Sequence, residues 1–240
     1  MTREATERRA SAAGGRGADR PPSGIDVATR RVGILGGTFD PIHLGHLGLA
    51  AAALDRLGLD EVLFVPAGQP PHKLGRPISP AKDRLAMVEL AIADRPGFGV
   101  SRLEIERAGP SYTADTVEAV RDLAAGSGTP VELTVILSAE SFADFEHWHE
   151  PERLLRTARI AVAPRPGHRR PSLGRVAARW PELAGRVELL DGPSLDVSAS
   201  EIRARTAAGQ SIDGLVPASV AHYIKAHHLY RNHPARKDHQ

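Results

Sequence analysis

Cysteine is absent from the chain, so disulfides and thiolate metal sites are excluded. Apolar runs are short as well. None approaches the roughly 20 residues that a membrane span needs, and the N-terminal stretch has no apolar block of the kind a secretory signal carries. The expectation is a cytoplasmic protein with no membrane partner. Tryptophan occurs only twice, so a tryptophan in a polar loop is informative. The phosphate-loop pattern G-x-x-x-x-G-K-[ST] is missing, and no internal repeat appears.

What the chain does have is 240 residues, 41% hydrophobic and 25% charged. That is enough to bury a core within one globular domain. The isoelectric point of 9.2 invites a nucleic-acid reading, which the distribution of charge opposes. Residues 1–31 hold seven arginines against four acids, and residues 225–240 hold four basic residues against one acid. The whole chain is +2, so residues 32–224 are net about −4. Basicity sits in the tails rather than on a folded face, which argues against nucleic acid as a partner. An anionic ligand of the central part must be held by a few placed groups.

Residues 1–30 are rich in Ala, Gly, Arg, Ser and Pro without periodicity and are expected to be disordered, as is the tail 231–240. Between them the domain 31–230 alternates. Strands are expected at Arg31–Leu35, Glu61–Val65, Phe98–Glu106, Val131–Leu137, Ala158–Ala163 and Arg186–Leu190. Helices are expected at Leu44–Leu57, Pro80–Ala93, Thr113–Ala124 with Thr113 as N-cap, Glu150–Arg156, Leu173–Arg179, Ser198–Ala208 and Pro217–His228. Alternation of this kind implies an α/β fold with a doubly wound parallel sheet.

The stretch VGILGGTFDPIHLGH, Val32–His46, hands a strand over to a helix and places two histidines there, three apart. Gly36 and Gly37 allow a tight turn and close approach of backbone to a ligand. His46 falls in the first helical turn, where exposed N–H groups and the helix dipole favour an anion. A phosphate site made by His43, His46 and these amides is the reading that follows. A metal pair or a merely packed pair stays open, although no third metal ligand is apparent in the sequence.

Gly36-Gly37-Thr38-Phe39-Asp40-Pro41-Ile42-His43-Leu44-Gly45-His46 closely resembles the signature of the nucleotidyltransferase superfamily with the T/H-x-G-H motif. From Val32 to Tyr230 the chain resembles the bacterial nicotinate-nucleotide adenylyltransferase family. The resemblance implies a Rossmann-like nucleotidyltransferase fold with a small C-terminal helical portion. It also implies transfer of the adenylyl group of ATP to nicotinate mononucleotide, giving deamido-NAD and pyrophosphate. Mg²⁺ would then be carried on the ATP phosphates with few protein ligands, and no metal site of the protein's own is expected. A homo-oligomer is compatible with the sequence.

Further segments carry the resemblance. In PAGQPPHK, Pro66–Lys73, Lys73 is expected near the substrate phosphates, and Arg84 follows on the next helix. In GPSYTADTV, Gly109–Val117, Thr113 and backbone amides at a helix start are placed to receive the nicotinate carboxylate. In LSAESFADFEHWHEPERLL, Leu137–Leu155, Trp148 matches a tryptophan expected to stack on the pyridine ring. There the chain departs from the family: Ser138-Ala139-Glu140 replaces Gly-Ala-Asp. Glu140 keeps the charge for a ribose hydroxyl or a metal-bound water. APRPG, Ala163–Gly167, brings Arg165 to the mononucleotide side. LDVSASEIRAR, Leu195–Arg205, resembles the element that grips the ATP phosphates, here with Ser200 and Arg203. The resemblance thus assigns Gly36, Gly37, Thr38, Phe39, His43, His46, Glu140, Ser200 and Arg203 to ATP. It assigns Lys73, Thr113, Trp148 and Arg165 to nicotinate mononucleotide, with His43 and His46 catalytic. A phosphopantetheine or nicotinamide-mononucleotide adenylyltransferase, and a nucleotide sensor without catalysis, are the competing readings.

Overall fold

The computed structural model describes residues 29–69, 78–164, 171–190 and 197–231. The expected tails, 1–30 and 231–240, lie outside these apart from Thr29, Arg30 and Arg231. Arg30, expected in the N-terminal tail, opens the first strand.

Six strands form one sheet: β1 Arg30–Gly37, β2 Glu61–Pro66, β3 Phe98–Val100, β4 Val131–Ser138, β5 Arg159–Ala163 and β6 Val187–Leu189. Their order is β3-β2-β1-β4-β5-β6, and every pairing is parallel. Helices fill the crossovers: α1 Leu44–Arg56, α2 Ala81–Ile92, α3 Leu103–Glu106, α4 Thr113–Gly126, α5 Ala139–Ala143, α6 Pro151–Thr157, α7 Gly174–Arg179, α8 Ala199–Ala207 and α9 Ala218–Ala226.

The two faces are covered by separate cores. On one, Leu35, Val62, Phe64 and Ile136 of the sheet meet Leu47 and Ala50 of α1, Met87 and Val88 of α2, Ile202 of α8 and Val220 of α9. On the other, Val32, Ile34, Val65, Val135 and Leu137 meet Val117 of α4, Leu154 of α6 and Val176 of α7. Neighbouring strand residues point to opposite faces and both faces are dry, which is why β4 reads as an almost unbroken apolar run. The chain therefore has the doubly wound parallel sheet expected of it.

Two expectations need correction. The strand expected over Phe98–Glu106 ends at Val100, and Leu103–Glu106 forms α3. α3 buries Glu104, whose carboxylate accepts the Thr116 hydroxyl at 2.8 Å. That tie to α4 turns the segment out of the sheet. Thr113 does not cap α4; Tyr112 holds the N-cap position and Thr113 is the first helical residue. Ser198 does cap α8, accepting the Glu201 N–H at 3.1 Å, and Gly209 ends that helix at φ +68°.

The loop after β2 runs against α3 with no room to spare. A Cβ at Gly68 would lie 2.0 Å from the backbone oxygen of Glu104. Gly68→Ala is expected to push loop and α3 apart and cost about 2–3 kcal/mol, seen as a lower urea midpoint at unchanged slope.

Candidate active site

The order of strands reverses between β1 and β4, and ligands of such sheets bind beyond the carboxyl ends of the strands at that point. A cavity of about 400 Å³ lies there. Its walls include Leu35–Thr38 at the end of β1, Val135–Ser138 from the end of β4, Tyr112 and Thr113 at the start of α4, and Trp148 and His149 before α6. A Cβ on Gly36 would meet no protein atom within 4 Å, so the missing side chain leaves cavity free for a ligand close to the backbone. A second cavity of about 310 Å³ adjoins it, walled by His43, Gly45, Glu140, Ala163, Pro164 and the start of α8. His46, Leu49 and Ser138 belong to both walls.

The histidines are placed by the turn between β1 and α1. Phe39 takes a left-handed φ of +49°, and the Asp40–Pro41 peptide is cis. The Phe39 ring is buried, meeting Phe64 at 5.9 Å and the edge of His46 at 5.0 Å. His43 stands at the N-cap of α1 and its imidazole stacks on His46 at 3.6 Å. The His43 N–H donates to Nδ1 of His46 at 3.3 Å. With Nδ1 accepting, a neutral His46 carries its proton on Nε2, which makes Nε2 a donor. Nδ1 of His43 is buried and has no hydrogen-bond partner among the described residues. Burial lowers the His43 pKa to about 4, so this ring is neutral at pH 7.

The turn is fixed from below by an arginine of α2. Arg84 of α2 is almost wholly buried. Its guanidinium donates to the backbone oxygens of Thr38 at 2.8 Å, Ser79 at 3.0 Å and Gly68 at 3.2 Å. Asp40, also buried, lies near enough to favour the charge, while desolvation opposes it and lowers the Arg84 pKa. Arg203 of α8 donates to the Asp40 backbone oxygen at 2.7 Å and to the Ser200 hydroxyl at 3.2 Å.

The structure thus brings Gly36, Gly37, Thr38, His46, Thr113 and Trp148 together around the first cavity, and His43, His46 and Glu140 around the second. Phe39 lines neither and supports His46 from the core. Ser200 is exposed one residue beyond the second cavity's wall, hydrogen-bonded to Arg203. Lys73 and Arg165 lie outside the described residues. Sequence reasoning missed several wall residues of the first cavity, Tyr112, His149 and Glu104 among them. Tyr112 and His149 stack on each other at 4.2 Å, and each is the direct neighbour of a residue that was picked out. Glu104 was hidden in the supposed strand. Among the described residues no three His, Asp or Glu side chains converge to hold a metal ion.

Comparison with known proteins gives the family. The cytidylyltransferase-like family matches residues 34–205. Two proteins, from Dehalococcoides mccartyi and Roseiflexus sp., each bear the name "probable nicotinate-nucleotide adenylyltransferase". Both are 46% identical to the chain, over 204 and 205 residues. The matches cover 85% of this chain and 98% and 100% of theirs. The chain belongs to the nicotinate-nucleotide adenylyltransferase family. The fold agrees too. The solved nicotinic acid mononucleotide adenylyltransferase of Plasmodium falciparum, complexed with NaAD, superposes with a TM-score of 0.66 at 17% identity, covering 84% of this chain and 97% of that one. The same protein complexed with APC gives a TM-score of 0.64.

The buried neutral imidazole has a consequence for stability. An unfolded histidine takes up a proton near pH 6.5, whereas folded His43 resists protonation until about pH 4. As pH falls, the unfolded state binds the proton first. The contribution is whole above pH 6.5 and lost on the way down to about 4. Ligand-free protein is expected to lose about 3 kcal/mol over that window from this group, and His43→Asn to lose correspondingly less, as measured by urea unfolding at a series of pH values.

Proposed function

We propose that this chain transfers the adenylyl group of ATP to nicotinate mononucleotide, forming nicotinate adenine dinucleotide and pyrophosphate in NAD biosynthesis. The observation that carries the proposal is the pair of adjoining cavities with His46 in their common wall, in a chain of this family. The first cavity suits the mononucleotide. Trp148 offers a flat face for the pyridine ring, and the start of α4 at Thr113 offers amides for the carboxylate. The second suits ATP, with Glu140 on its wall and Ser200, Arg203 and the first-turn amides of α8 beside it. Ser198 spends its hydroxyl on the cap, so it is not counted among the ATP ligands.

Little acid–base chemistry is needed. The mononucleotide phosphate is already anionic. One of its oxygens attacks the α-phosphorus in line; the bond from that phosphorus to the bridging oxygen breaks, and pyrophosphate leaves with the electron pair. The protein's task is to align two repelling anions and to stabilise charge on the oxygens at the α-phosphorus. His46 is proposed to donate there through Nε2. His43, uncharged, holds His46 by stacking and through its backbone N–H. Lys73 and Arg165, both outside the described residues, are proposed to add positive charge.

Mg²⁺ is proposed to arrive bound to ATP. The donor set fits that role: among the described residues Glu140 is the one carboxylate on the second cavity's wall, enough to meet an ion that keeps its waters but not to cage one. When bound, the ion neutralises charge on the β- and γ-phosphates. A cytoplasmic location belongs to the same proposal and rests on the cysteine-free composition and on the absence, among the described residues, of a helix long and apolar enough to cross a membrane.

The deciding experiment measures pyrophosphate release from Mg-ATP with nicotinate mononucleotide, nicotinamide mononucleotide or phosphopantetheine as acceptor. Release that strongly favours nicotinate mononucleotide is expected. Binding of ATP without release to any acceptor would instead identify a nucleotide sensor. His46→Ala is expected to lower kcat about 100-fold or more while the unfolding midpoint stays nearly unchanged. Full activity in that variant would remove His46 from the mechanism.

A further inference from the structure

Beyond α9 the chain bends back sharply. His228 and Tyr230 both take left-handed φ values, +54° and +61°. Such angles are costly for residues with side chains and persist where the surroundings hold them. What holds them here is visible. Leu229 and Tyr230 pack on the core between sheet and helices, and the Tyr230 hydroxyl donates to Oδ1 of Asp40 at 2.7 Å. Oδ2 of Asp40 accepts the Ser79 N–H at 3.3 Å. The backbone oxygen of the same aspartate seats Arg203 at 2.7 Å. Asp40 is 3% exposed, so removing one partner leaves a buried carboxylate oxygen unmatched in a residue that also carries Arg203.

We infer that Tyr230 is a positioning residue: its hydroxyl fixes Asp40, and Asp40 sets Arg203 at the ATP side of the site. The inference rests on the proposed assignment of Arg203 to ATP. A built-in control lies one turn of chain away. Tyr223 of α9 donates to Oδ1 of Asp83 on α2 at 3.0 Å. This is also a tyrosine–aspartate bond near the C-terminus, but one that pins helix to helix and does not touch Asp40 or Arg203.

The test compares Tyr230→Phe with Tyr223→Phe in the full chain, reading Tm, kcat and both KM values. Both variants are expected to melt somewhat earlier. Only Tyr230→Phe is expected to raise the KM for ATP, by about 5- to 10-fold, with the KM for nicotinate mononucleotide within about twofold. In an Arg203→Ala background the same change should add nothing, because the hydroxyl then has no arginine to place. Equal loss of Tm in the two variants with an unchanged KM for ATP would overturn the inference. If wild-type protein releases no pyrophosphate, the proposed reaction fails by itself. The Kd for ATP measured by calorimetry then takes the place of KM, and the same comparison decides the role of Tyr230.

Discussion

The structure depends on one buried cation. Arg84 sits under the turn between β1 and α1 and ties it to the connection between β2 and α2 through three backbone carbonyls: Thr38, Gly68 and Ser79. A guanidinium taken out of water is expensive unless each face of it is occupied. Here it is matched by backbone oxygens directly and by Asp40 at longer range. The cost of burial is what makes the arrangement specific, because the fork is matched when these three carbonyls converge on it. The turn so fixed presents Gly36 and Gly37 to the first cavity and His43 and His46 to the partition between cavities.

Much of the fold was legible in the residues. Period-two and unbroken apolar runs mark five of the six strands to within a residue or two, and glycine or proline marks several helix ends, as Gly209 and Pro217 do. The failures share a cause. Leu103–Glu106 is four residues long, and an alternating LEIE cannot be assigned by periodicity over so short a span. Its fate is decided by Glu104 reaching Thr116, a tertiary contact. Thr113 has better intrinsic credentials as an N-cap than Tyr112. Tyr112 holds the place while its ring lies on His149 beside the cavity, so packing overrides propensity.

The site divides in the same way. Residues whose chemistry is local were readable: two histidines at a strand–helix junction, a serine cap, a tryptophan in a polar loop. Those acting through distant backbone were not. Arg84 meets carbonyls that no pattern of charges announces, and Asp40 looks like an ordinary turn aspartate until Tyr230 and Arg203 are seen to converge on it.

That convergence joins residues 190 apart and bears on how the protein comes into being during synthesis. β1 and its histidine turn emerge first, yet Asp40 keeps an unmatched oxygen until the segment after α9 has been made and docked. Contacts of such long separation form late, after the chain entropy of the intervening loop has been overcome. A nascent chain can therefore build most of its sheet while Arg203 is still unseated. Completion of the last helix and its turn then closes the set of hydrogen bonds around Asp40.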